Sequence, residues 1–358
     1  MLTKSFQHTF QRYRTLQTDR ISVLPVVILM PHSACNCQCV MCDIWKGNRN
    51  LKQLGREDMC MLLETLKKFG TRQVVMSGGE ALLNPNFFSL CEIFRKEGIK
   101  ISLLSTGLLL KKNADDLCAR VNDLIVSLDG DEQTHDRIRN IPGAFRKLKE
   151  GIAEIHLRNA QFPITGRTVI HRLNFRIWPA IIRSAQDLGL KQISFLPADV
   201  SSQAFNREQT WDDARQQEIL PTREDLPELK TVIQSLIREF EPLFKSRFIA
   251  ESPEKLGKIY SYYAAFYGMD AFPYKKCNAP WVSTVVEADG TVRPCFFHKS
   301  LGNIHENTLE YILNSPEAID FRKHLDVATH ETCIKCVCYL NLPPGKNPGL
   351  GLSNSHHA

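Results

Sequence analysis

Val23-Leu-Pro-Val-Val-Ile-Leu-Met30, followed by Pro31-His-Ser-Ala-Cys35-Asn-Cys37-Gln-Cys39-Val-Met-Cys42, is the stretch on which the reading of this chain turns. An eight-residue apolar run has the length of a buried strand, and it runs into a loop bearing four cysteines. Cys35, Cys39 and Cys42 form C-x3-C-x2-C. Three thiolates on one short loop can hold three irons of a [4Fe–4S] cube and leave the fourth open to an outside ligand. An open position separates a catalytic metal site from a closed structural one. A zinc site that recruits Cys37 as a fourth thiolate is the alternative this loop leaves standing.

Working outward, residues 21 to 197 alternate strand-like and helix-like segments, the pattern of parallel βα units. After Val23–Met30, strands are expected at Gln73–Met76, Ile99–Leu104, Asp123–Ser127, Arg167–His171 and Gln192–Leu196. Gly70, Gly98 and Gly189 close the helices that precede three of them. Six units fit an open, partial (β/α)6 barrel in an α/β fold, with chemistry at the strand ends. From 199 to 270 the pattern becomes charged and helical, and Leu226, Leu229, Val232, Ile233, Leu236, Ile237 and Phe240 mark an amphipathic helix. Tyr260, Tyr262, Tyr263, Phe266 and Tyr267 form an aromatic cluster suited to core packing or to a pocket wall. Val282–Ala288, Asp289-Gly290 and Thr291–Phe297 read as a β-hairpin with a tight turn. The domains expected are a helical extension (1–21), the barrel (22–198), a helical connector (199–270) and a small α+β unit (271–342). Residues 343–358 form a tail expected to be disordered.

The 358 residues, 43% of them hydrophobic, suffice for one large core and a smaller appended unit. A net charge of +6, from 45 basic and 39 acidic residues, marks no nucleic-acid stripe and no acidic partner. The longest apolar run contains Pro25 and is too short to span a bilayer. Residues 1–20 are basic but lack the apolar core of a secretion signal; their poverty in acidic residues leaves an organelle transit peptide as the alternative to an amphipathic helix. The expected location is cytoplasmic. In a reducing compartment, clustered cysteines more often hold metals than form disulfides, and most of the twelve here are clustered. Cys60, Cys91 and Cys118 stand alone in helical segments and read as small buried apolar residues.

Two further motifs follow strands. Ser77-Gly78-Gly79-Glu80 stands after the second, where paired glycines admit a ligand close to the backbone and a glutamate can accept from an ammonium. Ser127-Leu-Asp-Gly130, then His135-Asp-Arg-Ile-Arg139, stands after the fourth. With these motifs in order, each at a strand end, residues 22 to 338 resemble the radical S-adenosylmethionine (SAM) superfamily, in the branch with SPASM or twitch C-terminal extensions.

The resemblance implies that Cys35, Cys39 and Cys42 ligate the cluster and that SAM closes its open iron. Met41 would pack near the adenine, and Gly78 and Gly79 would line the cofactor site. Glu80 would receive the SAM ammonium, Ser127 would face the ribose or carboxylate, and Arg139 would pair with the carboxylate, Arg137 being the alternative. Many relatives carry Ser-Thr-Asn-Gly after the third strand; this chain reads Ser105-Thr106-Gly107, so a ribose contact from an asparagine there is missing.

In the second cysteine group the hairpin brings Cys277 and Cys295 together, and Cys333-x2-Cys336 adds two thiolates. Four thiolates close a [4Fe–4S] cluster with no open iron, although a structural zinc would need the same ligands. The spacing resembles a twitch domain or the first half of a SPASM domain. No cysteine follows Cys338, so one auxiliary cluster is expected, with Cys338 able to replace Cys336. The resemblance implies reductive cleavage of SAM to a 5′-deoxyadenosyl radical, hydrogen abstraction from a substrate, and an electron donor such as flavodoxin or ferredoxin. A sugar- or aminocyclitol-like small molecule is the substrate favoured, with a ribosomal peptide as the alternative and a metal-holding scaffold or redox sensor as the non-enzymatic one. His171 and Asp199, following strands five and six, are the candidate acid–base residues; no nucleic-acid or membrane partner is expected.

Overall fold

A computed structural model describes residues 4–207 and 209–348. Six parallel strands, β1 Val26–Leu29, β2 Gln73–Met76, β3 Lys100–Ser105, β4 Asp123–Ser127, β5 Ile164–Ile170 and β6 Gln192–Pro197, lie in sequential order from the centre of the sheet to one edge. On the other side of β1 come β7 Ser283–Val286, β8 Thr291–Arg293 and β9 Gly302–Asn303, making nine strands in the order β6-β5-β4-β3-β2-β1-β7-β8-β9. The strands before β7 are linked by helices α1 Lys4–Thr18 (ahead of β1), α2 Arg56–Lys68, α3 Phe87–Arg95, α4 Ala114–Arg120, α5 Glu132–Arg139, α6 Ala144–Arg158 and α7 Trp178–Asp187. Crossover helices cover one face, so strands such as β2 and β4 are apolar along most of their length and almost wholly buried.

The expected hairpin forms, but it is not a unit apart. β7 runs parallel to β1 in the register Leu29↔Val286, so the C-terminal segment continues the barrel sheet. The register Leu29↔Met76↔Leu103 carries the ends of β1, β2 and β3 to one level. Leu226–Glu239 is the amphipathic helix, burying Leu226, Leu229, Ile233 and Leu236. Tyr262 and Tyr263 lie in the core, with hydroxyls donating to the carbonyl oxygens of Ala198 (3.1 Å) and Ile170.

Two expectations change. Cys60 is exposed rather than buried; it follows buried Met59 on α2, and one residue of helix turns it to the outer face. Of the tail after Leu342, residues 343–348 pack against the body. The Arg12 guanidinium donates to the carbonyls of Leu342 (3.0 Å) and Pro343 (2.8 Å), and Arg72 donates to Asn347. Residues 349–358, the remainder of that expected tail, lie outside the described residues.

Candidate active site

The cysteine loop has little regular structure of its own, and its neighbours hold it. The Asn48 side chain accepts from Cys35 N (3.0 Å) and donates to Cys35 O (2.8 Å). Gln38 N and Val40 N donate to the carbonyls of Arg139 (3.1 Å) and Ile138 (3.0 Å), so the end of α5 carries the middle of the loop. Glu80 N donates to Ala34 O at 2.9 Å. A Cβ on Gly79 would stand 2.3 Å from that same carbonyl, which only glycine can avoid.

Cys35, Cys39 and Cys42 line one cavity of about 240 Å³. Met41, Ser77, Gly78, Gly79, Thr106, Ser127 and Arg139 line it too, among apolar side chains such as Leu104, Ile125 and Phe205. Three cysteines with paired glycines, hydroxyls and a guanidinium in one lining suit the expected cluster with SAM at its open iron. The Cys39 thiol is held below its ordinary value, first by a hydrogen bond from Cys37 and then by the Arg139 guanidinium, whose Nη1 lies 3.4 Å from the sulfur. Burial pushes Cys35 up to about 11 and Cys42 up to about 12, a cost that binding a cation would offset.

Arg139 and Asp129 form a buried ion pair beneath the cavity, Asp129 being wholly inaccessible. Arg137 is exposed, so Arg139 is the arginine that faces the site. Glu80, by contrast, does not line the cavity. Its carboxylate is fully buried and accepts from Leu82 N (3.2 Å), Ser105 Oγ (2.9 Å), Thr106 N (2.9 Å) and Thr106 Oγ1 (2.7 Å). It braces the loops after β2 and β3 against each other. Burial pushes its pKa up while these donors pull it back. Thr106, held by Glu80 and by Asn36 of the cysteine loop (2.9 Å), lines the cavity.

The two acid–base candidates part company. His171 is completely buried away from the cavity; its Nδ1 accepts from Leu173 N (3.3 Å), and burial lowers its pKa to about 3, so it is a neutral core residue. Asp199 does line the cavity but is paired with Arg207 (2.5 Å) and accepts from Ser202 Oγ (2.5 Å). Arg207 carried no sequence signal, sitting outside every motif.

A second cavity of about 650 Å³ shares Ser77, Gly78, Gly79 and Arg167 with the first and reaches Arg293, Phe297 and Cys338. Beyond it, Cys277, Cys295, Cys333, Cys336 and Cys338 surround a small cavity of about 30 Å³. Five thiols therefore meet where four would close a cluster, and the donor set suits one. Burial pushes Cys295 up to about 12 and Cys333 up to about 11. His298, which the sequence reading missed, places Nε2 3.4 Å from Cys333 Sγ.

Two sets of cysteines, one lining a cavity at the strand ends and one gathered around a small cavity beyond it, give an open parallel barrel the donor sets of an iron–sulfur protein. Residues 29–185 match the Radical SAM superfamily and residues 277–337 the iron–sulfur cluster-binding SPASM domain. The chain carries a radical SAM domain and a C-terminal SPASM domain, and the cofactors these domains imply are a [4Fe–4S] cluster, SAM and auxiliary iron–sulfur. Among curated proteins it is 24% identical over 330 residues to the Fe-coproporphyrin III synthase of Methanosarcina barkeri, covering 87% of this chain and 80% of that one. It is 24% identical over 321 residues to the antilisterial bacteriocin subtilosin biosynthesis protein AlbA of Bacillus subtilis, covering 85% of this chain and 62% of AlbA. Against another relative it spans 46% of the length. The fold matches Streptococcus suis SuiB bound to precursor peptide SuiA with a TM-score of 0.62 at 14% identity, covering 91% of this chain and 74% of SuiB. Among the described residues no helix is long and apolar enough to cross a membrane.

Proposed function

We propose that this enzyme abstracts hydrogen from a side chain of a ribosomally made peptide or protein. The observation that carries this reading is the 650 Å³ cavity, which runs from Ser77, Gly78 and Gly79, shared with the cysteine-loop cavity, to Cys338 of the auxiliary set and exceeds what a single sugar ring needs. AlbA's named role in bacteriocin biosynthesis supports a peptide over the sugar-like molecule favoured by the sequence reading. A tetrapyrrole is the second reading, favoured by the near end-to-end match to Fe-coproporphyrin III synthase.

When bound, the cluster supplies the electron, drawn from a flavodoxin- or ferredoxin-type donor, that cleaves SAM and yields the 5′-deoxyadenosyl radical. The chain's own residues bind and orient. Cys35, Cys39 and Cys42 would hold three irons; Met41 would pack on the adenine, and the backbone of Gly78 and Gly79 would lie along the methionyl group. Ser127 and Thr106 would meet the ribose, and Arg139 the carboxylate. Glu80 would act at one remove, fixing Thr106. Cys277, Cys295 and Cys333, with Cys336 or Cys338, would hold the auxiliary cluster.

The test is an anaerobic reaction with dithionite and SAM, run with a deuterium-labelled peptide pool or with deuterated Fe-coproporphyrin III. Deuterium in 5′-deoxyadenosine from the peptide pool is the result expected. Label from the porphyrin alone establishes the second reading, and label from neither overturns both. Replacing Cys35, Cys39 and Cys42 by alanine should remove about half of the iron and all SAM cleavage.

A further inference from the structure

We propose that His298 donates a hydrogen bond to the sulfur of Cys333 and so raises the reduction potential of the auxiliary cluster. The proposal rests on the reading that the C-terminal cysteines hold that cluster. His298 Nε2 lies 3.4 Å from Cys333 Sγ, within reach of an N–H···S bond. The ring is buried and its direction is set on two sides: it stands edge-on to Phe321, with centroids 5.0 Å apart, and edge-on to His330 at 4.9 Å. The residue is also anchored through its backbone, since its carbonyl accepts from Arg293 Nη1 (3.1 Å), and Arg293 is paired with Glu287 (2.9 Å). Cys333 is placed in turn by the short helix Glu331–Ile334, whose first turn His330 caps by accepting from Thr332 N at 3.2 Å.

The donor atoms of His298, His330 and Cys333 lie within 4.8 Å of one another, so a histidine could in principle bind metal directly. Ligand count argues otherwise. Five cysteines line the pocket, one more than a closed cube requires, which leaves the imidazole to act on a ligand rather than as one. Reduction places an added electron's charge partly on the thiolate sulfurs. An N–H aimed at such a sulfur therefore stabilises the reduced form more than the oxidised form, and the potential rises.

The experiment is a dithionite titration followed by electron paramagnetic resonance on full-length protein. The background is Cys35→Ala/Cys39→Ala/Cys42→Ala, so that only the auxiliary signal is present. His298→Leu should keep the same iron content while its midpoint moves to a more negative potential. His298→Gln, which retains an N–H donor and is the gentler change should the leucine variant not fold, should lie between that and the parent. An unchanged midpoint in the variants overturns the proposal. Loss of auxiliary iron in both also overturns it, making His298 a ligand. A background protein that takes up no iron at all overturns the underlying cluster assignment instead, and is told apart because it fails before His298 is touched.

Discussion

Arg139→Met separates the two jobs that the structure gives this arginine. The guanidinium reaches Cys39 and the cavity lined by the cysteine loop, and it is also the charge partner of Asp129, whose side chain is wholly buried. Removing one member of a buried ion pair leaves the other charge uncompensated, at a cost of about 3–5 kcal/mol. Replacing both members by apolar residues of similar size is close to neutral. The remaining support for Asp129 is a 3.3 Å hydrogen bond from Val169 N, too little to hold the charge alone. Arg139→Met should therefore lose about 3–5 kcal/mol in urea unfolding of the metal-free protein. Arg139→Met/Asp129→Leu should recover most of that stability. SAM affinity, read by equilibrium dialysis on reconstituted protein, should stay lost in the double variant, because the arginine proposed to pair with the SAM carboxylate is still missing. A double variant that regains SAM binding would refute the direct contact. A single variant as stable as the parent would refute the ion-pair argument.

Glu80→Ala should cost about 2–6 kcal/mol in unfolding free energy, because the N–H groups of Leu82 and Thr106 lose their acceptor at about 1–3 kcal/mol each. Glu80→Gln should lose less, and equal losses would sink the bracing role. Glu251 offers a pH test: burial raises its pKa from 4.5 to about 7, and its Oε2 accepts from Phe195 N at 2.9 Å. The folded chain then holds a proton that the unfolded chain has released, so stability falls as pH rises from about 4.5 to 7 and levels off above. Glu251→Gln should remove up to about 3 kcal/mol of that slope; parallel pH profiles for parent and variant would contradict it.

Much of the barrel was legible because its strands are short apolar runs between breakers: β2 and β4 occupy the ranges expected. β5 begins at Ile164 rather than 167, since Thr165-Gly166 reads locally as a turn and only pairing with β4 and β6 extends it. The join of β7 to β1 was invisible, because a parallel pairing between segments some 250 residues apart leaves no local pattern. In the site, cysteine spacing announces itself, whereas side-chain direction does not. Glu80 and His171 both follow strands, yet one side chain turns to the β3 loop and the other into the core. His298 and Arg207 owe their positions to contacts, not to any motif.

The shared sheet has a consequence for how the two iron centres relate. β1 leads straight into the first cysteine loop, and the same strand is hydrogen-bonded in register along β7, which begins the hairpin that carries Cys295. No linker lies between the two cysteine sets at this junction. Their separation is therefore set by backbone pairing, which side-chain changes at either site leave intact. Arg139 acts on the loop after β1 and on Asp129 after β4; His298 acts on Cys333 beyond β9. Sharing no partner, the two should behave as independent sites whose effects add. A protein carrying Arg139→Met/Asp129→Leu together with His298→Leu should show the SAM affinity of the first change and the auxiliary midpoint of the second. A midpoint that moves with the Arg139 change alone would mean that the sheet transmits what the contacts do not.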